Sequence, residues 1–118
     1  MGGKAMNLDE IADVLSCETL CDVDGVIDIK AVVASDGMSE ILAFYRPNAL
    51  MLTGLTNIQS VRTAVVADVH AIVYVRGKRP PQKVLDLARE KGIPVLATSL
   101  GMFESCGILY TAGLEGVM

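Results

Sequence analysis

The sequence predicts an α/β fold, a compact single domain in which helices flank a mostly parallel sheet of four to five strands. Three observations predict it. Residues 69–99, VHAIVYVRGKRPPQKVLDLAREKGIPVLATS, read as apolar strand, basic turn, amphipathic helix and second apolar strand. The runs 49–53, 71–75 and 93–97 carry no polar alternation, as strands covered on both faces require. Segments of helical period lie between them, and two successive right-handed crossovers give a parallel three-stranded core. The N-terminal strands extend or flank that core.

The remaining elements follow in order. Asn7-Leu8-Asp9-Glu10 has the form of a capping box, and Leu8, Ile11, Ala12 and Leu15 repeat at helical spacing, so a helix covers about residues 8–16. Thr19 to Asp22 reads as a short strand, Asp24-Gly25 as a turn, and Ile27 to Ala34 as a longer strand. Asp36 is the expected N-cap of a helix striped by Met38, Ile41, Leu42 and Tyr45, which stops before Arg46-Pro47. Gly54 closes the strand at Ala49 to Thr53. Thr56 or Asn57 then caps a helix that buries Ile58, Val61, Ala64 and Val65. Pro80 or Pro81 suits a first helical turn, where no backbone donor is needed, and Val84, Leu85 and Ala88 face inward. Lys91-Gly92 ends that helix with a cation against the dipole and a permissive glycine. Ser99 is the expected cap of a last helix to about Ala112. Leu100, Met102, Phe103, Cys106, Ile108 and Leu109 make it apolar nearly all round, so it is buried or packed on a neighbour.

Composition bounds the function. A chain of 118 residues without a linker is one domain, here residues 7–116, with residues 1–6 set apart as a flexible start. Hydrophobic residues make up 52% and aromatic ones 4%, so the core is built from Val, Ile, Leu, Ala and Met. Such an apolar excess in a small domain predicts a homo-oligomer, a dimer or higher. A net charge of −4 and few aromatic rings argue against nucleic-acid binding, which needs a positive footprint or a stacking platform. The apolar runs are short and interrupted, so no membrane span is expected, and the first residues lack the apolar core of a signal peptide. A cytoplasmic protein is the expectation. Cys17, Cys21 and Cys106 with the lone His70 could in principle ligate zinc, but no second Cys pair follows Cys17-x-x-x-Cys21. No metal and no cofactor are predicted.

Ligands of open α/β sheets bind beyond the carboxyl ends of the strands. Those ends here carry Thr53-Gly54, Arg76-Gly77-Lys78-Arg79 and Thr98-Ser99. Thr53, Gly54, Arg76, Lys78, Thr98 and Ser99 are therefore the candidate ligand-binding residues, for a small anion held by hydroxyls, cations and backbone amides. The same residues also suit helix caps, turns and a solvated loop, and both readings stand at this point. Ser35-Asp36 and Ser39-Glu40 read as a helix cap and its partners. A Ser-His-Asp set drawn from Ser35 or Ser99, His70 and Asp68 has no supporting spacing, because His70 opens a strand at the opposite end from the candidate edge. Neither phosphate-loop nor dinucleotide glycine pattern is present, and no catalytic residue is predicted.

The segments V-V-A-S-D-G-M-S-E-I-L at 32–42, T-N-I-Q at 56–59, H-A-I-V-Y-V-R-G-K-R-P at 70–80, G-I-P-V-L-A-T at 92–98 and S-L-G-M-F-E-S-C-G-I-L-Y at 99–110 are familiar as a set. Together, over about residues 8–114, they resemble the DRTGG domain, a family similar to the N-terminal, non-kinase domain of HPr kinase/phosphorylase. The resemblance implies a compact α/β fold similar to the N-terminal domains of Mur ligases. The pentapeptide that names the family is essentially absent, since residues 24–32 read D-G-V-I-D-I-K-A-V. The kinase half and its phosphate loop are absent too, so no kinase activity is expected. The function predicted is a non-catalytic regulatory or scaffolding module that self-associates and senses a small anionic ligand, with a protein partner as a further candidate. The alternative is a nucleotide or phospho-metabolite binding domain acting as an accessory subunit of a metabolic enzyme.

Overall fold

The computed structural model describes residues 5–44 and 46–117. Residues 1–4 of the expected flexible start, and the Tyr45 position of the second helical stripe, lie outside the described residues. The elements run β1 (Met6–Asn7), α1 (Leu8–Val14), β2 (Glu18–Cys21), β3 (Asp28–Ile29), β4 (Ala31–Ala34), α2 (Met38–Ala43) and β5 (Ala49–Thr53). They continue as α3 (Ile58–Val66), β6 (Ala71–Tyr74), α4 (Gln82–Glu90), β7 (Val95–Ala97), α5 (Met102–Thr111) and β8 (Glu115–Gly116).

The main sheet has six strands in the order β2-β7-β6-β5-β4-β8. β4 to β7 are parallel, β8 joins β4 in parallel, and β2 closes the other edge antiparallel to β7. The sheet is therefore mixed and one strand wider than expected. The extra strand is β8, whose two residues are too short to leave a pattern in the sequence. The single strand expected over Ile27–Ala34 is divided at Lys30. Its first part, β3, pairs with β1 in a separate two-stranded sheet, and its second part enters the main one. Met6, grouped with the flexible start in the sequence, pairs with Ile29 and is buried.

The missing polar alternation has a direct structural cause. Ala31, Val33, Ala49, Met51, Ile72, Tyr74 and Val95 point to one face, against Ile41 of α2, Val61 and Ala64 of α3, and Val84 and Ala88 of α4. Val32, Leu50, Leu52, Ala71, Val73, Val75 and Leu96 point to the other, against Ile11 and Leu15 at the first helix and Leu109 of α5. Successive strand residues thus serve two cores, so every position wants an apolar side chain. Each large side chain removed from water here contributes about 1.5–3 kcal/mol. Three successive crossovers place α2, α3 and α4 on one face, and after β7 the chain returns to the face covered by α1.

Local signals explain most boundaries. Asn7 closes its capping box with Glu10 in both directions. Asn57, not Thr56, caps α3 by accepting from the Ser60 N–H. Pro81 sits at the N-cap of α4 rather than inside its first turn. Two caps differ from expectation: Gly37 and Gly101 hold the N-cap positions of α2 and α5, and neither Asp36 nor Ser99 caps its helix. In α3 the buried positions are Ser60, Val61, Thr63 and Ala64, whereas Val65 is exposed. Ser60 replaces an apolar residue there because a buried phenol needs a partner. Its hydroxyl donates to the Asn57 carbonyl (2.6 Å), so the Tyr74 O–H, 2.7 Å away, must donate to Ser60.

α5 is not buried all round. Only Ser105 and Leu109 are, while Phe103 and Tyr110 are 89% and 75% exposed. No described helix is long and apolar enough to cross a membrane.

Candidate ligand-binding edge

The in-register parallel strands bring their carboxyl ends flush, with Thr53 opposite Tyr74 and Tyr74 opposite Ala97. The strand ends and the loops leaving them carry every predicted ligand residue. The β6–α4 loop begins with a tight turn in which Arg76 and Gly77 both have positive φ (62° and 68°) and the Lys78 N–H donates to the Val75 carbonyl. Two consecutive left-handed residues make a type I′ turn. Glycine takes that conformation freely, but an arginine does so only at a cost, and such positions concentrate where the side chain has a task.

The task here is a contact across three strand ends. Asp36, just beyond β4, accepts from the Gly54 N–H at 2.7 Å and the Thr53 hydroxyl at 3.2 Å through Oδ1. Its Oδ2 accepts from Arg76 Nη2 at 3.0 Å. The Arg76 guanidinium lies so close over Gly54 that a Cβ on that residue would fall 1.8 Å from Nη2. The bare Cα of Gly54 lets the guanidinium lie over it, and any side chain there would push the flexible end of Arg76 away. The Gly54 amide, with Arg76 and Thr53 adding to it, holds the Asp36 carboxyl below its ordinary value despite partial burial.

Asp36 is the residue that the sequence missed. Its place after a strand and before a helix made it look like a cap, and the true cap position passed to Gly37. Ser35 supplies the local turn instead: its Oγ accepts from the Gly37 N–H and donates to Glu40 Oε1, both at 2.9 Å. Asp36 is thereby left to reach across the sheet.

Five of the six predicted residues fall into two groups, and Lys78 stands apart on the exposed β6–α4 turn. Thr53, Gly54 and Arg76 meet around Asp36. Thr98 and Ser99 instead line a separate cleft of about 250 Å³ with Ser16, Glu18, Gly77, Arg79 and Ala97. Backbone bonds from Arg76 to Leu100 (2.7 Å) and from Gly77 to Thr98 (2.9 Å) tie the two loops together between them. That cleft sits where the chain changes face, the position at which open α/β sheets take ligands.

Several of the groups expected to be free are already partnered. The Thr98 hydroxyl donates to the Leu15 carbonyl at 2.6 Å and accepts from the Leu100 N–H at 3.2 Å. The Thr53 hydroxyl also accepts from the Leu55 N–H. Arg79 makes a two-pronged contact with Glu18, at 2.7 and 3.2 Å, which draws the Glu18 carboxyl down. Lys78 and Ser99 are exposed, and Lys78 makes no ion pair among the described residues.

The other chemical candidates separate. His70 opens β6 at the amino end, as expected, with its N–H on the Ala49 carbonyl and Nδ1 3.3 Å from the Asp28 carbonyl. Burial pushes the Cys17 thiol up to about 11 and raises Cys21 and Cys106 as well, so none is a ready thiolate. Among the described residues no three His, Cys, Asp or Glu side chains converge as metal ligands would. A second, apolar groove of about 380 Å³ lies between α5 and the β4–β8 edge, lined in part by Phe103, Cys106, Tyr110 and Val117.

The fold has a solved counterpart. The CBS and DRTGG domains of the regulatory region of Clostridium perfringens pyrophosphatase, crystallised with the activator diadenosine tetraphosphate, superpose with a TM-score of 0.73 at 21% identity. The match covers 91% of this chain and 47% of that one, so this chain spans about half its length. No curated protein matches the sequence. The DRTGG domain pattern matches residues 10–112, nearly the whole of the sheet and its helices. The chain belongs to the DRTGG domain family.

Proposed function

We propose that this chain is a cytoplasmic, non-catalytic regulatory module that senses a small anionic ligand at the carboxyl edge of its sheet and self-associates through α5. The observation that carries the sensing is the convergence at that edge. A guanidinium, a hydroxyl and a backbone amide from successive strand ends meet at one carboxylate, beside a cleft at the change of face. The likeness to a regulatory region crystallised with a nucleotide activator supports an anionic ligand of the nucleotide class. The binding set is Thr53, Gly54, Arg76, Lys78, Thr98 and Ser99, with Lys78 and Ser99 as the groups still open to solvent. Thr53 and Thr98 act through the loops they hold, since their hydroxyls are occupied. A similarity to the N-terminal, non-kinase domain of HPr kinase/phosphorylase, suggested by the sequence segments alone, is part of the same proposal, which needs no kinase half.

Self-association rests on Phe103 and Tyr110, two large side chains exposed on one helix beside an apolar groove. A protein partner on that face is the second reading. A thermal-shift series with mono- and dinucleotides, diadenosine tetraphosphate among them, tests the sensing. Stabilisation that disappears in the Arg76→Ala, Lys78→Ala double variant is the expected result. A flat response to every phosphate-bearing compound would remove the ligand from the reading, and a monomer by light scattering at micromolar concentration would remove the self-association.

A further inference from the structure

Asp36 occupies the place that the ligand anion of the proposed function would take. Its carboxylate accepts from the Gly54 amide, the Thr53 hydroxyl and the Arg76 guanidinium, the donor types that recognise a phosphate. Two features show that this contact is built rather than incidental. The turn that carries Arg76 is fixed by backbone bonds from Arg76 to Leu100 and from Gly77 to Thr98, and the guanidinium packs directly over the bare Cα of Gly54. Yet the pair is not sealed, since the Asp36 and Arg76 side chains are 49% and 41% exposed. An anion from solvent can reach the guanidinium without the core opening.

We infer that Asp36 is an internal competitor, a tethered carboxylate that occupies the anion subsite formed by Gly54 and Arg76 until a phosphate-bearing ligand displaces it. The inference rests on the proposed anion-sensing function and adds its regulation. A protein whose binding-competent form is a fraction of the total binds with affinity reduced by that fraction. The latch therefore sets the threshold of the sensor, and it discriminates by charge: a dianionic phosphate outcompetes the tethered monoanion, while a carboxylate does not. Displacement leaves the Ser35–Gly37 turn in place, since Ser35 holds it through the Leu52 carbonyl, the Gly37 N–H and Glu40.

The test is titration calorimetry of the whole chain with inorganic pyrophosphate and, separately, with acetate. Asp36→Asn keeps an acceptor for the Gly54 amide while removing the competing charge, and a melting curve confirms that it folds. The expected result is pyrophosphate binding about tenfold or more tighter in D36N than in the wild type, abolished in D36N/R76A, with acetate binding in neither. Wild-type binding that D36N leaves unchanged or weakens overturns the competitor and leaves the sensor standing. An absence of pyrophosphate binding in both proteins overturns the competitor, and with a flat nucleotide screen it overturns the sensor too. The Gly54 amide signal in nitrogen-15 spectra gives an independent readout: it shifts on adding pyrophosphate to the wild type if Asp36 is displaced, and an unmoved signal on saturation overturns the inference.

Discussion

The carboxyl edge of the sheet and the α5 face answer the problem of exposed chemistry in opposite ways. At the edge, polar groups are numerous and nearly all find partners within the chain: Asp36 with Arg76, Glu18 with Arg79, and Thr98 with Leu15 and Leu100. On α5, apolar groups are numerous and the two largest, Phe103 and Tyr110, find none inside. Satisfied polar contacts couple an edge to folding, whereas uncovered apolar area couples a face to association. Substitutions at the edge should therefore cost stability first, and substitutions on α5 should cost assembly first.

The sharpest break of that contrast is Thr98→Val. It keeps the shape and strips one hydrogen bond from each of two backbone groups, the Leu15 carbonyl and the Leu100 N–H. A loss of about 2–3 kcal/mol by chemical denaturation is expected. A loss below half of that would mean that water replaces the hydroxyl and that the edge is looser than its bonds indicate. Gly54→Ala comes next. Its Cβ cannot coexist with the Arg76 guanidinium, so the guanidinium must leave and Asp36 loses a partner. The expected cost is about 0.5–1 kcal/mol, the range of a half-exposed ion pair, because only the flexible end of Arg76 has to move. Unchanged stability, with Arg76 still on Asp36 in a crystal of the variant, would contradict it.

A smaller effect follows from pH. The Asp36 carboxyl titrates below its ordinary value in the folded chain, so its contribution to stability is complete above the unfolded-state pKa and is lost as pH falls through the folded one. Solvent screening limits the gain to under about 1 kcal/mol. Glu18 shifts in the same direction, so the wild-type denaturation profile alone does not isolate Asp36. The difference between wild type and Asp36→Asn does, and it should shrink between about pH 5 and pH 2. A constant difference over that range would assign the stabilisation to shape instead of charge.

The smallest change in stability is expected on α5, where it is paired with a large change elsewhere. Phe103→Ser with Tyr110→Ser should move the unfolding free energy of the single chain, measured at dilutions where the wild type is dissociated, by no more than about 0.5 kcal/mol, because both side chains face solvent there. The mass by light scattering should fall to that of one chain. A protein that keeps its mass would place the interface elsewhere, and a single chain that loses several kcal/mol would assign the two side chains to the fold instead.

How far the sequence reveals these two regions depends on range. The central strands and α1, α3, α4 and α5 are legible from local pattern, because two-sided burial leaves unbroken apolar runs and helices leave periodic ones. Asn7 with Glu10 is legible for the same reason, being a bond across three residues. Asp36 is not, since its partners lie 18 and 40 residues away. Local chemistry offers it a nearby helix to cap, and only tertiary structure shows Ser35 and Gly37 relieving it of that role. β8 is invisible for a related reason: a two-residue strand is defined by its partner β4, not by its own sequence. The candidate anion residues lie along one edge, as the strand ends in the sequence place them, but their arrangement there depends on the Arg76–Leu100 and Gly77–Thr98 backbone bonds.

The chain of bonds from Tyr74 through Ser60 to the Asn57 carbonyl lends the protein an optical property. With no tryptophan in the sequence, its ultraviolet emission comes from tyrosine alone. Tyr74 is fully enclosed, two residues before Arg76, and its phenol is bonded and pushed above its ordinary pKa by burial. Tyr110 stands in solvent on the opposite face. Of the three tyrosines in the sequence, one thus lies directly beneath the ligand edge and another on the face proposed for assembly, so single-tyrosine variants that keep one of them let occupancy or association be followed without a label.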